Sequence, residues 1–150
     1  MKKILIIVFL NLFIIIFNVN SQEVKEIKKK YSVSNSEINF LHDISLYNLD
    51  GSINVVVEIP SGSIEKWEVN QEGSEIVLNL KVNNFRHINY LGYPANYGFI
   101  PKTLLPYEAN GDGDAIDVLI IGNQLQTGQI VRCDVIGMLE MNDQNLIDNK

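Results

Sequence analysis

Ile53-Asn54-Val55-Val56-Val57-Glu58-Ile59-Pro60 is dense in β-branched side chains and is stopped by a proline. Branching at Cβ favours the pleated backbone and proline removes a ladder donor, so the stretch predicts a strand over 53–59 with a breaker behind it. Downstream, Lys66-Trp67-Glu68-Val69 and Ile76-Val77-Leu78-Asn79-Leu80-Lys81-Val82 flank the turn-forming Asn70-Gln71-Glu72-Gly73-Ser74, as in a hairpin with a longer loop. Ile116–Ile121 is a nearly continuous apolar run of strand length. From Gln129 to Met141 the pattern alternates, with Val131, Cys133, Val135, Leu139 and Met141 on one face. Residues 92–111 carry three of the four prolines among many Gly, Tyr and Asn, and are expected to be ordered but irregular. No helical period of useful length follows residue 50. The expected class is therefore mainly β, a small barrel or sandwich of short strands.

The chain's 150 residues, 46% apolar and 20% charged, suit one globular domain. Met1-Lys2-Lys3 and the apolar stretch from Ile4 to Phe17 make the charged and apolar regions of a secretory signal, with a cleavage site near Val19-Asn20-Ser21. As a helix that stretch would reach only about 21 Å, short of the roughly 30 Å hydrocarbon core of a bilayer. The expectation is a signal peptide over 1–21, no stable membrane insertion after cleavage, and a secreted or periplasmic product, with a cytoplasmic location as the alternative. Residues 22–50 read as a polar, lysine-rich N-terminal extension with one short helix, and 51–150 as the folded domain. The net charge is −6, and two of the lysines lie in the leader. A surplus of carboxylates argues against nucleic acid as a partner, since phosphates are bound by Lys and Arg. The single cysteine, Cys133, rules out an internal disulfide and a Cys-rich zinc site.

Asn110-Gly111-Asp112-Gly113-Asp114-Ala115-Ile116-Asp117-Val118 packs carboxylates densely just before an apolar strand. Two such charges about 5 Å apart repel by on the order of 3 kcal/mol at an effective dielectric near 20, so the clustering makes sense mainly when cations sit among them. Oxygen ligands point to Mg²⁺, Mn²⁺ or Ca²⁺, and His42 and His87 have no ligand-like spacing for a softer metal. An EF-hand loop fails. Begun at Asn110, it puts Ala115 where glycine is needed and Ile121 where the bidentate glutamate belongs. The plain alternative is a charged turn in which Gly113 serves only tight backbone geometry.

Two further stretches accompany the cluster. Tyr93-Pro94-Ala95-Asn96-Tyr97-Gly98-Phe99-Ile100-Pro101 stands upstream, and Asp143, Asp148 and Lys150 lie in the last ten residues. Together these resemble the soluble family I inorganic pyrophosphatases, whose signature Asp-Gly-Asp-Pro-x-Asp-Val is preceded by Tyr-Pro-x-Asn-Tyr-Gly-Phe-Ile-Pro. Here Asp112-Gly113-Asp114-Ala115-Ile116-Asp117-Val118 matches the signature with Ala115 in place of the proline. The resemblance runs from about Val55 to Lys150.

The resemblance implies an OB-like closed five-stranded antiparallel barrel with peripheral helices. It also implies that the barrel in 51–150 is incomplete, because family members continue past the second acidic segment. It implies hydrolysis of pyrophosphate to two phosphates by direct attack of a magnesium-activated water, several Mg²⁺ ions per site, and a homo-oligomer, in bacteria a hexamer. By the same resemblance Asp112, Asp117, Asp143 and Asp148 are metal ligands and Asp114 is the general base. Lys66, Arg86, Tyr97 and Lys150 bind substrate, while Glu58, Glu68 and Tyr93 line the cavity. The competing class is a non-catalytic, exported, divalent-metal-binding module on the same barrel.

Overall fold

The computed structural model describes residues 31–35, 37–81 and 84–150. The expected signal peptide and the first part of the polar extension lie outside the described residues. In chain order the strands are β1 (Ser32–Ser34), β2 (Ile53–Ile59), β3 (Trp67–Val69), β4 (Glu75–Leu78), β5 (Leu80–Lys81), β6 (Asn84–Phe85), β7 (Asn96–Phe99), β8 (Asp117–Ile120), β9 (Ile130–Cys133), β10 (Asn142–Asp143) and β11 (Leu146–Ile147), with a 3₁₀ turn over Tyr107–Ala109. They form a four-stranded sheet in the order β8-β7-β2-β9, a three-stranded sheet β1-β4-β3, and the pairs β5-β6 and β10-β11. The molecule is mainly β, as its sequence predicts.

β2 occupies the middle of the larger sheet, with β7 and β9 antiparallel on its two sides. Its burial is nearly complete on both faces: Val55, Val56, Val57 and Ile59 are each at most 1% exposed. Burying such side chains stabilises the fold by roughly 1.5–3 kcal/mol each, which explains a continuous β-branched run where a half-exposed strand would alternate. Val56 joins Phe40, Ile44, Ile76 and Phe99 in the core, with Trp67 and Val69 of β3 packed against it. Phe40 and Ile44 come from the polar extension. Asn39 holds that segment on the β3–β4 turn through its Nδ2, which donates to the Glu72 carbonyl at 2.5 Å, and Phe40 N–H donates to the Gly73 carbonyl at 2.7 Å.

Two expectations need correction. Residues 92–111 are not irregular throughout, because Asn96–Phe99 form β7, which pairs with β2 and β8. The glycine that suggested a loop is what lets the strands close, since a Cβ on Gly98 would lie 1.9 Å from the Val56 carbonyl oxygen. The second concerns β9, which stops at Cys133 although alternation continues to Met141. Cys133 pairs with Ile53, the first residue of β2, and Gly51 just before it turns away with φ 87°, so the ladder runs out of partner. A Gly98→Ala variant is expected to lose at least about 3 kcal/mol of stability, because backbone cannot yield to the added methyl as a side chain would. Thermal denaturation followed by circular dichroism measures it.

Candidate active site

The site is built where β7, β8 and the chain's last hairpin meet. Tyr97 lies on β7 opposite Leu119, and Asp117 opens β8 opposite Phe99, so both sit on a rigid ladder. Tyr97 Oη donates to Asp117 Oδ2 at 2.5 Å. Lys150 Nζ donates to the same oxygen at 2.5 Å and to Asp148 Oδ1 at 2.6 Å. That ammonium also stands 5.4 Å from the centroid of the Tyr97 ring, and the Tyr93 and Tyr97 ring centroids are 5.4 Å apart. Residues 117 and 148, far apart in the chain, thus converge on one cation.

Asn110 explains how the last hairpin reaches the acidic loop. It adopts the left-handed conformation, φ 61°, at the end of the 3₁₀ turn. Its carbonyl accepts from Ile147 N–H at 2.8 Å and its Nδ2 donates to the Asn145 carbonyl at 2.9 Å. Within the loop Asp112 Oδ1 accepts from Asp114 N–H at 3.0 Å, and the Asp114 carbonyl accepts from Leu105 N–H at 2.8 Å. Gly113 has φ 86°, and this left-handed conformation is what favours glycine there; a Cβ would also meet the Tyr107 ring at 2.4 Å, but that exposed ring can swing aside.

On the facing side, Lys66 pairs with Glu68 on β3, and Asn79 Nδ2 donates to the other Glu68 oxygen. Arg86 N–H donates to the Asn79 carbonyl at 2.9 Å while the Arg86 carbonyl accepts from Lys66 N–H at 3.1 Å. The short β5–β6 hairpin therefore loops out between Asn79 and Arg86, and the chain returns beside Lys66. The exposed Arg86 guanidinium faces Tyr93, opposing the rise that burial imposes on its phenol pKa. Asp143 stands apart, exposed on β10 of the last hairpin.

The field at the site is strongly negative. Burial raises the Asp114 carboxyl above the ordinary range, and Asp112 and Asp117 reinforce the rise. Burial likewise raises the Tyr97 phenol, with the Asp117 carboxylate adding to it, so the hydroxyl stays protonated and donates. For Lys150 burial opposes the charge, yet hydrogen bonds to Asp117 and Asp148 outweigh it and the pKa rises.

Glu58, only 6% exposed, sits where the β2–β7 register shifts between Val57 and Ile59. Its Oε1 accepts from Val69 N–H at 2.7 Å. Desolvation raises its pKa to about 8, the Val69 donor opposing and the Asp117 and Glu68 charges adding. Between the unfolded value of 4.5 and about 8 the native state holds a proton that the unfolded chain has released. Stability should therefore fall as pH rises through that window, by on the order of 5 kcal/mol in all. Glu58→Gln keeps the acceptor without the charge and is expected to remove this slope. Urea denaturation in EDTA between pH 5 and 9 measures it, and an unchanged slope in the variant would assign it elsewhere.

The structure brings the expected residues together only in part. Asp117 and Asp148 share Lys150, Asp114 feels the charges of Asp112, Asp117, Glu68 and Lys66, and Glu58 feels those of Asp117, Glu68 and Lys66, but among the described residues no three carboxylates are gathered closely enough to hold one metal ion as they stand. Oxygen donors alone, two of them already aimed at one positive charge, fit a hard divalent ion. Asn110 and Asn96 carry no chemical signal of their own in the sequence, although Asn96 stands inside the Tyr93–Pro101 motif.

Comparison with known proteins gives the same reading. The chain is 34% identical to the inorganic pyrophosphatase of Campylobacter jejuni over 73% of its own length and 59% of that relative's. It is 43% identical to the inorganic pyrophosphatase of Aquifex pyrophilus over 65% of its length and 50% of the relative's. Its fold superposes with a TM-score of 0.68, at 27% identity, on an N-terminally truncated vacuolar soluble pyrophosphatase of Trypanosoma cruzi in complex with PPi, covering 75% of this chain and 50% of that one. The chain thus spans between half and three-fifths of the length of these relatives. Residues 55–150 match the family model for inorganic pyrophosphatase, and the chain belongs to that family.

Proposed function

We propose that this chain carries the catalytic centre for hydrolysis of inorganic pyrophosphate to two phosphates, with Asp117 at its heart. The observation that carries the proposal is the convergence of Tyr97, Lys150 and, through Lys150, Asp148 on the Asp117 carboxylate. The T. cruzi relative's complex with PPi supports pyrophosphate as the substrate. Family membership implies a divalent metal, and the all-oxygen donor set favours Mg²⁺. Asp112, Asp117 and Asp148 would hold it, and Asp143 would help hold further metal arriving with substrate. When bound, such ions supply charge neutralisation for the phosphates and acidify water between them.

The chain's own groups do the rest. Lys66, Arg86, Tyr97 and Lys150 donate to the phosphate oxygens, and charge-assisted bonds of this kind hold a compact polyanion in one orientation. Asp114, its pKa raised by burial and its carboxylate neighbours, is the base that takes the proton from the attacking water. Glu58, Glu68 and Tyr93 shape the wall: Glu68 orients Lys66 by their ion pair, and Tyr93 packs on Tyr97. Attack in line with the departing phosphate needs no covalent intermediate.

The same reading takes 1–21 as a signal peptide for export, 22–50 as an extension that lends Phe40 and Ile44 to the core, and 51–150 as the catalytic domain of a homo-oligomer, in bacterial relatives a hexamer. Among the described residues no helix is long and apolar enough to cross a membrane. Phosphate release from pyrophosphate, with and without Mg²⁺, tests the function on this chain and on the chain joined to the remaining length of a family member. Mg²⁺-dependent release is expected. Mg²⁺ binding without release from either form would identify the metal-binding module instead.

A further inference from the structure

Lys150 is bound on every side. Its ammonium donates to Asp117 Oδ2 at 2.5 Å and to Asp148 Oδ1 at 2.6 Å, and its remaining face looks onto the Tyr97 ring, 5.4 Å to the centroid. The side chain is only 8% exposed. A lysine so engaged cannot also reach a phosphate, and the carboxylates it holds are those that would hold metal.

The conflict is steric as well as electrostatic. Mg²⁺ takes carboxylate oxygens at about 2.0–2.1 Å in strict octahedral geometry, and an ammonium bonded to the same oxygens would sit as a second positive charge directly beside the ion. Asp117 Oδ2 accepts from both Tyr97 Oη and Lys150 Nζ at 2.5 Å, so a metal ion can use that oxygen only in place of the lysine, and an ion on the other oxygen, Oδ1, would still be repelled by the ammonium beside it. The backbone of Lys150 is meanwhile fixed: its N–H donates to the Leu139 carbonyl at 3.0 Å, and its carbonyl accepts from Leu139 N–H at 2.8 Å. The flexible four-carbon stem can therefore swing the charge away while the hairpin stays in place.

We infer that Lys150 is a built-in counter-cation for Asp117 and Asp148 that an entering divalent ion displaces, so that metal loading is the event that frees this lysine for an anionic ligand. Only the last step, delivery to phosphate, rests on the pyrophosphatase reading. The exchange of one cation for another on the two carboxylates stands without it.

Two measurements test this with metal alone and no pyrophosphate. Acetylation of lysines by an N-hydroxysuccinimide ester, read residue by residue by mass spectrometry, compares Lys150 with the exposed Lys102 in the same chain. Saturating Mg²⁺ is expected to raise Lys150 labelling relative to Lys102 by at least about fivefold over an NaCl control of equal ionic strength, as a buried ion-paired amine becomes free. In calorimetric titration, Lys150→Met is expected to bind Mn²⁺ about tenfold more tightly than the unaltered chain, because no charge has to be displaced. Lys150 labelling that is unchanged or falls with Mg²⁺ would overturn the inference, as would equal or weaker Mn²⁺ binding by a folded Lys150→Met chain, or no Mn²⁺ binding by either. Should the variant not fold, the labelling of the unaltered chain decides alone. Displacement without phosphate release would sink the proposed activity and leave this inference standing, and phosphate release without displacement would do the reverse.

Discussion

Asp117→Ala is expected to lower Mg²⁺-dependent phosphate release by about a thousandfold or more, without rescue by excess Mg²⁺. Among the described residues Asp117 is the one carboxylate that touches both Tyr97 and Lys150, through the single oxygen Oδ2. Removing it takes away a proposed metal ligand, leaves the Tyr97 hydroxyl without its acceptor, and leaves Lys150 on Asp148 alone. The loss should not be one of folding. The Asp117 side chain is 26% exposed, and its charge pushes up the carboxyl pKa of both Asp114 and Glu58, so deleting it relieves repulsion. Against that relief stands the partner lost by the Tyr97 hydroxyl and the Lys150 ammonium, so the denaturation midpoint is expected to fall by only a few degrees, far too little to account for the loss of activity. Asp143→Ala provides the contrast, because that carboxylate lies exposed on β10; its loss should cost about tenfold and be compensated by more Mg²⁺. Steady-state phosphate release across a Mg²⁺ series measures both. An Asp117→Ala chain that kept a tenth of its activity would remove Asp117 from the centre of the mechanism.

What could be read in advance followed from how local each signal is. β2 was legible to the residue, because a buried central strand writes itself as a continuous β-branched run and Pro60 ends it. The Asp112–Asp117 cluster was legible because close like charges are costly enough to need a reason. β7 was hidden, since Pro94 and Gly98 carry loop chemistry, and only the approach of the Val56 carbonyl shows why glycine belongs in that strand. Phe40 and Ile44 were hidden by the polar residues around them, as burial there depends on the distant β3–β4 turn. The return of Arg86 to Lys66 depends on a hairpin looping out between them, and a linear spacing argument counts those residues as distance. Asn110 joins two acidic segments through bonds that no periodicity announces.

Asn96 is the sharpest case, and its substitution should have the largest effect on stability. The side chain is fully buried. Its Oδ1 accepts from Ser61 N–H at 3.0 Å and Leu125 N–H at 2.9 Å, while its Nδ2 donates to the carbonyls of Asn123 at 2.9 Å and Ile120 at 3.4 Å. One amide thus ties the exit of β2 and the loop after β8 to β7, at the residue before Tyr97. In Asn96→Ala those backbone groups lose their partner together. Each unsatisfied buried group costs about 1–3 kcal/mol, and water entering the space left behind recovers part of it, so a loss of about 3–5 kcal/mol is expected. Asn96→Asp keeps the acceptor but turns the donor into an oxygen facing two carbonyls. Burial must raise that carboxyl's pKa, so the native state keeps its proton when the unfolded chain has lost it. Stability of the Asp variant should accordingly be greatest at low pH and fall as pH rises above about 4. Urea denaturation followed by the fluorescence of Trp67, the single tryptophan, measures both variants. A loss below about 1 kcal/mol in Asn96→Ala would mean that solvent satisfies those backbone groups as well as the amide does. The position of the Tyr97 hydroxyl on Asp117 would then owe nothing to the residue beside it.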